Sequence, residues 1–148
     1  MELDEIEEIL VRAKSCARSE PIDPPGEAAW DAVVARFGCE VSPDYHRLFA
    51  ASLRLWVDLT LLGPNRDESP TGYESIIDVY DGEVASNPSW NSQLLPFCAI
   101  GNGDYFCFLI EQPIAEKVYY VYHEDGTEEL ESPTVEDWIR GLTDFLSP

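Results

Sequence analysis

The stretch LLPFCAIGNGDYFCFLI, Leu94 to Ile110, decides the fold. Two apolar runs flank a short segment that holds two glycines, an Asn and an Asp. The runs LLPFCAI and YFCFLI suit a pleated, buried surface and read as strands. Asn102-Gly103 is a strong signal for a two-residue hairpin loop, because a type I′ turn needs positive φ at both central positions. With those two residues as the loop, Cys98 and Cys107 oppose each other across the ladder. One face then carries Cys98, Ile100, Tyr105, Cys107 and Leu109. The other carries Phe97, Ala99, Phe106, Phe108 and Ile110. Both are apolar, so the pair is expected to form inner strands covered on both sides.

The same stretch has two chemical readings. GNGD lacks the full GxGxxG, and strand residues follow it, so no helix N-terminus would face a phosphate. Asp104 lies beside a turn at a strand end, a place shared by solvated and functional acids. No partnered base stands near it in the sequence, which favours a structural role.

Outward from the hairpin, KVYYVYH is a further strand, and EDGTEEL is a turn into a short one. Ser132 caps a closing helix with Pro133 at its first position. Val135, Trp138, Ile139, Leu142, Phe145 and Leu146 give that helix an apolar face. Towards the N-terminus, YESIIDVYDGEVAS fits either a strand or a helix. GPNRDESPTG is a loop, and RLWVDLTLL reads as a strand. SPDYHRLFAASL is a helix with Ser42 as N-cap and Pro43 as first residue. EAAWDAVVARF is a helix closed by Gly38. LDEIEEILVRAKSCA has helical spacing at Leu3, Ile6, Leu10, Ala13 and Ala17. Trp30, Phe37, Phe49, Phe97, Phe106, Phe108, Trp138 and Ile139 are expected in the core.

Composition narrows the classes of function. A chain of 148 residues with 45% hydrophobic content supports one domain with a real core. No apolar run approaches the ~18 residues of a membrane span. MELDEIEEIL is acidic from its second residue, unlike a secretory signal, so a cytoplasmic location is expected. Cys16, Cys39, Cys98 and Cys107 form no CxxC pair, and His46 and His123 stand apart, so no metal site and no cofactor are expected. In the cytosol Cys98 and Cys107 are expected as buried thiols, although their opposition would bring them near disulfide distance.

Twenty-nine acids against nine bases give a formal net charge of −20. That field repels nucleic acid and anionic membranes. It favours basic partners, including proteins that themselves bind nucleic acid; an acidic surface also serves solubility alone. Catalysis would need His46 or His123. His46 is expected on a helix exterior beside Arg47. His123 ends a strand before Glu124-Asp125, a trio that could hold it charged. HEDGTEELE offers carboxylates to a hard cation but lacks the Asp spacing of an EF-hand loop. No catalytic residue is assigned.

The succession of these motifs resembles the SUKH superfamily of Smi/Knr-type domains. The residues that carry the resemblance are the helix with Trp30 and Gly38, SPDYHRLF, LLPFCAIGNGDYFCFLI, KVYYVYHEDG and SPTVEDWIRGL, across residues 27–146. Two features depart from it: Val41-Ser42-Pro43 stands where a Leu-Pro pair is usual, and no glycine follows that helix. The resemblance implies a single α+β domain over residues 1–148, with a mainly antiparallel sheet and helices packed around it. It also tips YESIIDVYDGEVAS towards a helix.

For function, the resemblance implies a non-enzymatic immunity protein that binds and neutralises a cognate toxin, often a nuclease. An intracellular regulatory scaffold is the alternative, and a small hydrolase a more distant one. The partner is then a basic protein, not nucleic acid or membrane, and the oligomeric state is open. Trp90, Asp104, Glu124, Asp125, Glu128 and Glu129 are the expected partner-binding residues, with the acids as a rim and Trp90 as the anchor; the alternative is that Trp90 closes the core and the acids only solvate the fold.

Overall fold

A computed structural model describes residues 1–64 and 73–146. Most of the expected loop GPNRDESPTG lies outside the described residues.

The first helix, α1 (Leu3–Arg12), buries Ile6, Ile9 and Leu10. It ends earlier than its apolar spacing suggests. Lys14 takes a left-handed φ of 62° and turns the chain into strand β1 (Cys16–Ala17). Helix α2 (Glu27–Phe37) stops at Gly38, whose φ of 74° continues no helix. After β2 (Glu40–Val41), helix α3 (Pro43–Ser52) starts as expected: Ser42 Oγ accepts the N–H of Asp44 at 3.2 Å. RLWVDLTLL is not one strand but two short ones, β3 (Leu55–Trp56) and β4 (Thr60–Leu61). They serve different partners, since β3 pairs with β1 and β4 joins the main sheet.

Helix α4 (Ile76–Ser86) resolves the ambiguous segment as a helix, capped by Ser75 Oγ. The hairpin strands are β5 (Leu94–Ala99) and β6 (Tyr105–Leu109). Short β7 (Ile114–Ala115) pairs in parallel with β2. Strands β8 (Val118–Val121) and β9 (Glu128–Ser132) follow, then α5 (Val135–Arg140) and α6 (Leu142–Leu146). The closing helix is capped two residues later than expected, and Pro133 stands before it rather than at its first position. Ser132 ends β9, and Thr134 Oγ1 accepts the N–H of Asp137 at 3.1 Å.

The main sheet runs β4-β5-β6-β8-β9, antiparallel throughout. The fold is therefore α+β. One sheet face carries the main core. Phe97 stacks on Phe108 at 4.0 Å and meets Trp138 of α5 at 4.9 Å, while Tyr45 of α3 meets Phe97 at 5.1 Å. Trp30, Phe49, Phe97, Phe106, Phe108, Trp138 and Ile139 are buried as expected; Phe37 is only half-buried, against Tyr80. The other face has a smaller cluster of Leu94, Cys107 and Val121, flanked by Trp90, Tyr105, Leu109 and Tyr119.

The expected hairpin register is wrong. Cys98 faces Phe106 and Cys107 faces Pro96, with a bulge at Phe97. A bulge adds one residue to one strand and shifts every later side chain. Here it puts Cys98 in the main core, while Cys107 lies in the smaller cluster across the sheet. The Phe97 carbonyl is held from outside the hairpin. It accepts the Leu62 N–H at 2.8 Å and the Tyr45 hydroxyl at 3.0 Å. The loop is also longer than two residues, because the Ile100 N–H reaches the Asp104 carbonyl at 3.2 Å.

Candidate functional site

Asp104 ends the β5–β6 loop with its side chain turned inward. The residue is only 6% exposed, so it lies beneath the surface rather than in an acidic rim. Its carboxylate collects four donors. The Tyr120 hydroxyl donates at 2.5 Å, the His123 backbone N–H at 2.8 Å, His123 Nδ1 at 2.5 Å and Asn102 Nδ2 at 3.3 Å. Burial raises the pKa of the acid, but the bonds from Tyr120 and His123 outweigh it and hold the carboxyl at about 2. With Asp104 ionised, Nδ1 must carry the proton it donates. Burial and the adjacent carboxylate push the Tyr120 phenol up to about 12. The result is a latch that ties the β5–β6 loop to the end of β8.

Gly103 makes the latch possible. Its φ is 99°, and a Cβ there would lie 2.9 Å from Cγ of His123. Only glycine meets both conditions without strain. The His123–Asp104 pair has the form of an oriented base, yet the ring's one hydrogen bond among the described residues is to Asp104. Among the described residues no hydroxyl or thiol stands bonded to it as a nucleophile would. His46 is not on a bare helix exterior either. It stacks on Trp30 at 4.0 Å with 15° between the planes, and burial lowers its pKa. Among the described residues no group of three or more His, Cys, Asp or Glu side chains could hold a metal ion.

The other expected site residues lie on the β8–β9 turn, on β9 and just before β5. Glu124 and Asp125 form the exposed β8–β9 turn, where Asp125 Oδ1 accepts the Thr127 N–H at 2.9 Å. Glu128 and Glu129 are exposed on β9. Trp90 sits just before β5, edge-on to Tyr105 at 5.8 Å, and half-buried over the smaller cluster. Its neighbour Asn91 donates to Glu128 Oε1 at 3.1 Å, which ties the Trp90 segment to the start of β9; Glu129, the next residue, faces the other side of the sheet. A pocket of about 20 Å³ lies between Trp90, Gly103, His123, Gly126 and Glu128. That is room for about one water and far below the ~300 Å³ of a small-molecule site.

Sequence reading passed over Tyr122 and Leu130, which are 38% and 56% exposed on opposite faces of this sheet edge. Tyr122 donates to Glu129 Oε2 at 3.1 Å. The strand alternation of β9 places Leu130 on the same face as Glu128, a signal that was available once the strand was recognised.

The Gly-Asp turn, strand β8 with the His123 that follows it, and helix α5 all fall within residues 24–141, the stretch that matches the family model described as the SMI1 / KNR4 family (SUKH-1). The chain belongs to the SMI1 / KNR4 family. No curated protein and no solved structure matches at a significant level. In this SUKH-1 domain the Asp104 latch fixes the loop and turn on which the acidic corner is built. Among the described residues no helix is long and apolar enough to cross a membrane.

Proposed function

We propose that this SUKH-1 protein is a non-catalytic immunity protein that binds and neutralises a cognate basic toxin in the cytoplasm, a nuclease being the class its charge suits best. The observation that carries the reading is the corner itself. Four exposed carboxylates, Glu124, Asp125, Glu128 and Glu129, line the β8–β9 turn and β9, and Asn91 ties Glu128 to the segment that carries half-buried Trp90. Asp104 acts from below, as the strut that holds the turn. A nuclease presents a basic cleft to nucleic acid, and a surface of opposite charge complements it. The net charge of −20 also disfavours nucleic acid and anionic membranes as direct partners.

The two parts have separate kinetic roles. Carboxylates steer the encounter and raise the association rate, an effect that salt suppresses. A large aromatic side chain at the centre of a contact slows dissociation. The test is binding to the product of a neighbouring toxin gene across a range of ionic strength. Glu128→Lys with Glu129→Lys should slow association and flatten its salt dependence. Trp90→Ala should speed dissociation. Wild-type kinetics in both variants would remove this corner from the interface, and a broad set of unrelated partners would favour a regulatory scaffold.

A further inference from the structure

Strand β9 is an edge of the main sheet: it pairs with β8 and with no other strand among the described residues. Its backbone pattern is fixed by the turn before it. The Tyr122 N–H bonds the Thr127 carbonyl at 2.9 Å, and hydrogen-bonded pairs then alternate along an antiparallel ladder. The next bonded pair is Tyr120 with Glu129, and Glu128 and Leu130 lie opposite Val121 and Tyr119 in the non-bonded positions. Glu128 and Leu130 therefore turn their N–H and C=O groups away from β8. Residues 128–131 are all exposed, so these backbone groups face solvent along an open edge.

The side chains on this edge select what can join it. Glu128, Glu129 and Glu131 carry the charge, and Leu130 is 56% exposed between them. A second copy of the chain would set glutamates against glutamates, which opposes self-pairing. The far edge, β4, has only two residues and offers no comparable template. We propose that β9 accepts an extended, basic segment of the partner protein as a sixth strand. Main-chain bonds to Glu128 and Leu130 hold the segment, lysine or arginine side chains meet the glutamates, and one apolar side chain covers Leu130. The inference rests on the proposed toxin-binding reading and gives its mode of contact.

The probe is a synthetic peptide of alternating lysine and valine, with a glutamate–valine peptide and a lysine–valine peptide N-methylated at alternate backbone nitrogens as controls. Amide hydrogen exchange is followed by NMR on the full chain. The basic peptide should slow exchange at Glu128 and Leu130 at least tenfold and leave the already bonded Glu129 amide unchanged. The acidic peptide should leave all three unchanged, and N-methylation should abolish the protection. Leu130→Pro, which removes the outward N–H together with the exposed leucine side chain, should weaken binding of the basic peptide at least tenfold. If that variant fails to fold, the exchange data on the wild-type chain decide alone. Unchanged exchange at saturating basic peptide, or equal binding of the N-methylated peptide, overturns the proposal. A toxin that binds while these two amides exchange freely overturns edge pairing and leaves the toxin reading standing.

Discussion

Asp104 holds His123 by two atoms at once: Oδ1 accepts the backbone N–H at 2.8 Å and ring Nδ1 at 2.5 Å. The contact spans 19 residues of sequence and fixes the loop after β5 against the end of β8. Its stability contribution depends on the charge of Asp104. The folded pKa of about 2 lies below the ordinary 3.8, so the contribution is complete above about 4 and is lost as pH falls towards 2. Asp104→Asn should therefore lower stability at pH 7 by about 2 kcal/mol and weaken the acid limb of the stability profile. Urea unfolding at pH 7, 4 and 2.5 measures both. An unchanged acid limb would show that the charge of Asp104 has no role.

The two loop glycines separate backbone strain from contact. Gly101 and Gly103 have φ of 98° and 99°, but a Cβ at Gly101 meets nothing within 4 Å, whereas one at Gly103 meets the His123 ring. Gly101→Ala should cost about 1 kcal/mol for the positive φ alone. Gly103→Ala should cost at least about 1 kcal/mol more, and His123→Ala in the same chain should recover part of that difference. Equal thermal shifts for the two single variants would contradict the close approach.

Tyr45 is fully buried, and its hydroxyl reaches the carbonyls of Leu62 at 2.6 Å and Phe97 at 3.0 Å. Tyr45→Phe keeps the ring but takes away that donor. The expected loss is about 1–3 kcal/mol, against about 3–5 kcal/mol for Phe106→Ala, which opens a cavity instead. Denaturant midpoints of the two variants give the ranking. A Tyr45→Phe protein as stable as wild type would mean that this hydroxyl does not support the bulge.

The cysteines divide by accessibility. Cys16 is exposed, while Cys39, Cys98 and Cys107 are buried. Burial also pushes the thiols of Cys98 and Cys107 well up, away from the reactive thiolate. A thiol reagent at neutral pH should modify one cysteine rapidly in the folded chain and four in denaturant. Because the bulge sends Cys98 and Cys107 to opposite sheet faces, no disulfide between them should form under mild oxidation. Peptide mapping that finds such a bridge would contradict the register.

Local chemistry was easy to read. Gly38 and Ser42 mark helix ends by rules that act over a few residues, and both mark them here. The errors arose where distant chain segments decide. Nothing near Phe97 announces that Leu62 and Tyr45 will capture its carbonyl and bulge the strand. Nothing near Asp104 announces Tyr120 and His123, so an acid that looked available to a partner is spent inside the fold. The acids of the β8–β9 turn were legible because consecutive residues in a turn stay exposed together.

The Trp30–His46 stack turns this fold into an optical instrument. A protonated imidazole in van der Waals contact quenches indole emission, and here the rings lie 4.0 Å apart. Burial, the larger influence, draws the proton affinity of His46 down despite nearby Glu27. Emission from Trp30 should therefore dim on acidification with a midpoint below the ordinary 6.5 of histidine, and His46→Gln should abolish that step. The packing of α2 on α3 can thus be followed by light alone, without any label.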